Sequence, residues 1–157
     1  MNDRPLAVLD SCILISFLKD EETRADEVEA LLRGEPARYV FALPVWQEME
    51  FFTFPQRDAN LTLDERKGHI SRAREWLDGQ GFLSVTLSQM EVRQAIRLWG
   101  DSTVKAADAS MVAVAELFGA DTLFTYDEKL IRQTRELDLS VSIRKPPTVS
   151  MPSLPGL

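Results

Sequence analysis

The chain has 157 residues, 45% of them hydrophobic and 27% charged, the balance of one globular domain rather than a disordered, collagenous or coiled-coil chain. The longest apolar run, Ile13 to Leu18, falls far short of the roughly 20 residues of a membrane span, no secretory leader pattern opens the chain, and one cysteine and one histidine give no reason to expect a disulfide or a histidine-based zinc site. These features fit a cytoplasmic protein, and the net charge of −7, of which residues 1–50 hold −6, excludes a strongly basic nucleic-acid binder without deciding the partner.

Taken in chain order, Leu6–Leu9 is a short apolar run that predicts a buried strand. A helical stretch follows from about Ile13 to Leu18. Residues 20–32 predict an amphipathic helix with Ala25, Val28, Leu31 and Leu32 on one face and Gly34 as its stop. A second strand is expected at Tyr39–Leu43. Pro44 suits the first turn of the next helix, where a missing N–H costs nothing, and Val45, Met49 and Phe52 recur there at i, i+4 and i+7. Thr62-x-x-Glu65 is a capping box opening a helix to about Leu77, ended by Gly79 and Gly81. Phe82–Leu87 is the third strand. Ser88-x-x-Glu91 is a second capping box, and its helix places Val92, Ala95, Ile96 and Trp99 on one face before Gly100 closes it. A helix from about Val104 to Phe118 stops at Gly119. Thr122–Thr125, a helix near Glu128–Leu137 and a strand near Leu139–Ile143 complete a single domain over residues 1–145. Residues 146–157 hold four prolines and predict a tail.

Strands alternating with helices predict an α/β fold with a parallel sheet covered on both faces. Such sheets bind ligands beyond the carboxyl ends of their strands. Asp10 follows the first strand and Asp127 the fourth. Glu48 lies four residues after Pro44, among Val45, Trp46 and Met49. Asp108 sits in the small-residue run Ala106-Ala107-Asp108-Ala109-Ser110. Capping alone accounts for an acid such as Asp10 or Asp127; it accounts less well for Glu48 and Asp108, which fall inside helices. Carboxylates converging on one cleft need a compensating cation, and Mg²⁺ or Mn²⁺ suits oxygen ligands and activates water for phosphodiester hydrolysis.

Four blocks resemble the PIN-domain ribonucleases: Val8-Leu9-Asp10-Ser11-Cys12-Ile13-Leu14-Ile15, Ala42-Leu43-Pro44-Val45-Trp46-Gln47-Glu48-Met49, Ala107-Asp108-Ala109-Ser110-Met111-Val112-Ala113-Val114-Ala115 and Ala120-Asp121-Thr122-Leu123-Phe124-Thr125-Tyr126-Asp127. They stand in family order. The resemblance implies a three-layer PIN-like fold, a twisted parallel sheet of about five strands with helices on both faces. It implies Mg²⁺ or Mn²⁺ held by Asp10, Glu48, Asp108 and Asp127, with Ser11 and Thr125 as accessory groups that orient carboxylates or water. It further implies an RNA-cutting toxin of a VapBC-type toxin–antitoxin pair, an endoribonuclease that forms a homodimer and is held inactive by an antitoxin protein. Two other classes compete. One is a PIN-like module that binds RNA or a protein without cutting. The other is a Mg²⁺-dependent phosphohydrolase working through an aspartyl-phosphate, which needs Asp-x-Asp after the first strand where this chain reads Asp10-Ser11-Cys12.

Other residues have plainer readings. Cys12 reads as a small buried residue and His69 as a surface one. The pairs Arg93/Arg97, Arg72/Arg74 and Arg132/Arg135 read as solvated faces, or as phosphate contacts at a cleft rim. The acids at 20, 21, 22, 26, 27 and 29 crowd one helix and read as a solvated face or as a seat for a basic partner. Trp46, Phe51, Phe52 and Phe54 read as core, with some members left over for a dimer or antitoxin interface.

Overall fold

A computed structural model describes residues 4–19, 22–34, 38–54 and 61–149. The expected acids at positions 20 and 21 and most of the proline-rich tail, residues 150–157, lie outside the described residues. The elements run β1 (Leu6–Leu9), α1 (Ser11–Leu18), α2 (Glu22–Arg33), β2 (Val40–Pro44), α3 (Val45–Thr53), α4 (Leu63–Gln80), β3 (Leu83–Val85), α5 (Gln89–Gly100), α6 (Ala106–Leu117), β4 (Thr122–Phe124), α7 (Glu128–Thr134) and β5 (Ser142–Arg144).

All five strands are parallel, in the order β3-β2-β1-β4-β5. The chain walks outward from β1 to β3, then crosses back to lay β4 on the other side of β1. That reversal opens a crevice beyond the carboxyl ends of β1 and β4, where open parallel sheets take their ligands. Successive side chains of a strand point to opposite faces. Ala7, Leu9, Leu43 and Phe124 therefore join one core with Ile13, Leu14, Val28, Phe51 and Ala73 of α1 to α4. Val8, Ala42, Val85 and Leu123 join the other with Ala95, Leu98, Leu130 and the α6 run Met111–Ala115. The first layer is rich in aromatics, with Trp76 packed against Phe17, Phe51 and Phe82. The second is built on alanine and valine, which lets α6 approach the sheet closely.

Local signals fixed several boundaries. Both capping boxes form: the Thr62 hydroxyl accepts from the Glu65 N–H while Glu65 receives the Thr62 N–H at 2.7 Å, and Ser88 and Glu91 exchange the same pair of bonds. Gly81 (φ 69°) and Gly119 (φ 64°) take the left-handed conformation that ends α4 and follows α6. Gly79 does not end α4, which runs through it to Gln80.

Two helices turn differently from their apolar spacing. In α3 the buried residues are Gln47 and Phe51, whereas Val45 and Met49 are exposed. Pro44 is the last strand residue and the N-cap of α3, not part of its first turn. In α5 the inward residues are Glu91, Ala95 and Leu98, while Val92, Ile96 and Trp99 face outward. The phase of each helix is set by the residue it buries most deeply, Phe51 in α3 and the Ala95–Leu98 pair in α5, which packs on α6.

Candidate active site

Asp10 is the hub. It follows β1, and its N–H continues the ladder by donating to the Phe124 carbonyl of β4. It occupies the N-cap position of α1, yet its carboxylate makes no capping hydrogen bond. The side chain instead accepts from the Thr125 hydroxyl at 2.6 Å and the Cys12 thiol at 3.2 Å, and stands 3.4 Å from the Ser11 hydroxyl. Only 8% of Asp10 is exposed. Burial pushes its carboxyl above the ordinary carboxylate range, more than these hydrogen bonds pull it down.

Thr125 ties the two strand ends together. Its hydroxyl donates to Asp10 and accepts the Asp127 N–H at 2.9 Å. Asp127 then caps α7, one oxygen accepting from the N–H groups of Lys129 and Leu130 at 2.8 and 3.0 Å. The capping role is therefore real for that oxygen, and the second oxygen of this exposed residue is left for other partners. Asp108 approaches from the Ala-rich first turn of α6. Its carboxyl is pushed up to about 6, first by desolvation, then by the negative charges of Asp10 and Asp127, with a smaller push from Glu50. Asp10, Asp108, Asp127 and Glu50 thus share one electrostatic neighbourhood.

The structure does not bring Glu48 to this group. Its carboxylate accepts from the Ser84 hydroxyl of β3 at 3.1 Å, in a hollow lined also by Leu43, Leu77 and Phe82. Glu50, which the sequence reading passed over, accepts from the Ser11 hydroxyl at 2.7 Å and from the Trp46 indole N–H at 3.3 Å. The two glutamates flank the buried Gln47–Phe51 stripe on opposite sides of α3, Glu48 toward β3 and Glu50 toward α1. That stripe leaves both glutamates on its borders, and only the sheet order, with β1 and α1 on one flank and β3 on the other, tells them apart.

The neighbours are accounted for. Cys12 lies half-buried, and its thiol is pushed up to about 12, mainly by burial and then by the Asp10 charge, so it donates to Asp10 rather than acting as a thiolate nucleophile. Its sulfur also accepts the Tyr126 N–H at 3.3 Å. Tyr126 is buried, with its hydroxyl donating to Glu27 at 2.8 Å. Glu128 pairs with Lys145 and stands outside the acidic group. His69 is half-buried, edge-on to Phe54.

The donor set is all oxygen, the chemistry of a hard divalent cation. Burial and, after it, repulsion from Asp10 and Asp127 lift Asp108, and a bound cation would relieve the repulsion. Among the described residues, no three acidic, cysteine or histidine side chains stand close enough to form a ready-made metal cage.

A family model of the PIN domain matches residues 7–136. The chain belongs to the PIN domain family. PIN domains of this family are nucleases and generally use a divalent metal. Three solved structures share the fold. A toxin–antitoxin complex from Klebsiella pneumoniae is 18% identical, with a TM-score of 0.65 over 91% of this chain and 99% of that one. FitAcB from Neisseria gonorrhoeae is 14% identical, with a TM-score of 0.65 over 89% and 97%. VapBC2 from Rickettsia felis, bound to a DNA fragment from its promoter, is 12% identical, with a TM-score of 0.61 over 88% and 98%. At these identities the likeness is one of fold. No curated protein matches the chain. Among the described residues no helix of this PIN domain is long and apolar enough to cross a membrane.

Proposed function

We propose that this PIN domain is a divalent-metal-dependent endoribonuclease acting in the cytoplasm as the toxin of a toxin–antitoxin pair. The supporting observation is that Asp10, Asp127 and Glu50 all act on the Asp108 carboxyl beside the crevice where the strand order reverses, and that burial first and these charges second lift it to about 6. Asp10, Glu50, Asp108 and Asp127 would hold Mg²⁺ or Mn²⁺; Glu50 replaces Glu48 in the set. The bound cation supplies charge compensation, activation of water and stabilisation of charge on the phosphoryl oxygens. Thr125 fixes the Asp10 carboxylate, and Ser11 fixes Glu50.

An antitoxin partner is part of the proposal, supported by the fold shared with the Klebsiella complex. A homodimer is a further part, supported by the outward apolar face of α5, where Ile96 and Trp99 are 61% and 60% exposed. Light scattering of wild type and Ile96→Asp checks the dimer: the wild type elutes at twice the monomer mass and the variant at the monomer mass.

The test of the activity is incubation with total RNA and Mn²⁺ or Mg²⁺, with and without EDTA. Cleavage requires the metal and is lost in Asp10→Asn and Asp108→Asn proteins that melt like wild type. Undiminished cleavage by Asp10→Asn would sink the reading. A second reading, a PIN fold that binds without cutting, draws on the absence of a ready-made cage among the described residues. Calorimetric titration with Mn²⁺ separates the two, since no heat of binding favours the second.

A further inference from the structure

Beside the acidic crevice lies a surface of opposite charge. A hollow of about 420 Å³ between α7 and the end of β5 is lined by Ile131, Arg132, Arg135, Arg144, Lys145 and Glu128. That size is within the roughly 300–1,000 Å³ of ordinary ligand sites. Four cations face a single acid, in a chain whose net charge is −7. Glu128 is already paired with Lys145. Arg132 and Arg135 are exposed; Arg132 adds its charge to that of Lys145 in holding the Glu128 carboxyl down, and neither arginine makes a hydrogen bond or a close ion pair among the described residues. Arg144 is fixed, its guanidinium donating to the Tyr39 hydroxyl at 3.2 Å and lying 5.5 Å from the centre of the Phe124 ring. The hollow opens at the same sheet edge as the crevice, since Arg144 ends β5 and Glu128 follows Asp127 directly.

We propose that this basic hollow seats the phosphate backbone of the RNA strand whose scissile bond lies in the crevice. The inference rests on the ribonuclease reading and deepens it. Without metal a polyanion approaching four carboxylates is repelled, and with metal the cation serves the scissile phosphate alone, so the rest of the strand draws its binding energy from cations next to the crevice. Arginine presents a planar fork of donors matched to phosphate, and contacts of this kind position a strand without reading its bases. An acidic protein segment offers single carboxylates at irregular spacing, a poorer match to a row of arginines than a backbone with one charge per nucleotide.

The experiment measures binding of a labelled single-stranded RNA of about 16 nucleotides by fluorescence anisotropy in EDTA, where nothing is cut. Arg132→Ala/Arg135→Ala weakens binding by about tenfold and flattens the plot of log affinity against log salt by about 1.4, two phosphates at roughly 0.7 each. Lys145→Ala, made separately, weakens binding in the same direction. Lys67→Ala, on the exposed face of α4, moves neither quantity. In Mn²⁺ the double variant raises KM by about the factor lost in binding, with kcat within about twofold. Unchanged affinity and salt slope in the double variant would overturn the proposal. So would lost binding of a poly-glutamate peptide with RNA binding intact, which assigns the hollow to an acidic protein. A fall in kcat with KM unmoved overturns it too, by placing the arginines in the chemistry. Wild-type protein that binds RNA through these residues but never cuts it in Mn²⁺ refutes the ribonuclease reading alone.

Discussion

Glu48 and Glu50 are the same residue type, two positions apart on one helix, and they serve opposite flanks. Two residues of α-helix are about 200° of rotation. The buried pair Gln47 and Phe51 points α3 at the sheet, so one glutamate leans toward β3 and meets Ser84 while the other leans toward α1 and meets Ser11. The sheet order does the rest. β1 lies on only one side of β2, so only one flank of α3 borders the crevice. The phase of a helix, set by what it buries, decides which of two chemically equal acids joins a site.

The sharpest way to break this comparison is to neutralise each acid in turn. Glu50→Gln lowers RNA cleavage by about a hundredfold or more, as expected when one carboxylate is taken from a metal site. Glu48→Gln leaves it within about threefold. Initial rates in Mn²⁺ read both, and equal losses from the two variants would refute the assignment by helix phase.

A smaller effect is expected one step behind the carboxylates. Thr125→Val keeps the shape of the side chain but takes the hydroxyl from both Asp10 and the Asp127 N–H. Leaving buried polar groups without partners costs about 1–3 kcal/mol. Cleavage drops by about tenfold while Thr125→Ser restores most of it, because serine keeps the hydroxyl. Urea denaturation and initial rates on the same preparations check the two effects together, and a Thr125→Ser protein as impaired as Thr125→Val would remove the hydroxyl from the explanation.

The smallest effect is one of pH. Asp108 is raised to about 6 in the folded chain, above its ordinary value near 4. A raised pKa means the folded state holds the proton more tightly than the unfolded state. The group's contribution is thus favourable at low pH and is lost as pH rises through about 4 to 6. In EDTA, Asp108→Asn gains stability relative to wild type across that window, and saturating Mn²⁺ narrows the gap by neutralising the carboxylates. Denaturant melts at about pH 4 and pH 7 measure it, and a difference that stays constant with pH would contradict the raised carboxyl.

Much of the fold was legible because its signals are local. A capping box needs four residues, and Thr62-x-x-Glu65 and Ser88-x-x-Glu91 both form. The strand-end acids Asp10 and Asp127 were legible for the same reason, as was Asp108 among small residues that let α6 close on the sheet. Helix phase was not local. The spacing of Val45, Met49 and Phe52 looks like an inward stripe, yet α3 buries Gln47, whose side-chain oxygen finds no hydrogen-bond partner among the described residues. A helix that buries a glutamine and exposes a valine and a methionine defies its own hydrophobic pattern. Reading that pattern literally points to Glu48 and hides Glu50. The same inversion in α5 turns Val92, Ile96 and Trp99 to the outside.

The indole of Trp46 sits one helical turn before Glu50 and donates its N–H to the Glu50 carboxylate at 3.3 Å. A carboxylate that takes up a cation withdraws charge from that hydrogen bond, and the emission of a tryptophan responds to such a change at its ring nitrogen. If Glu50 holds the cation as proposed, Trp46 would serve as an optical reporter against one wall of the acidic crevice. With Trp46→Phe as the blank for the signals of Trp76 and Trp99, occupancy of the crevice can be followed by light alone, with no RNA present and no bond broken.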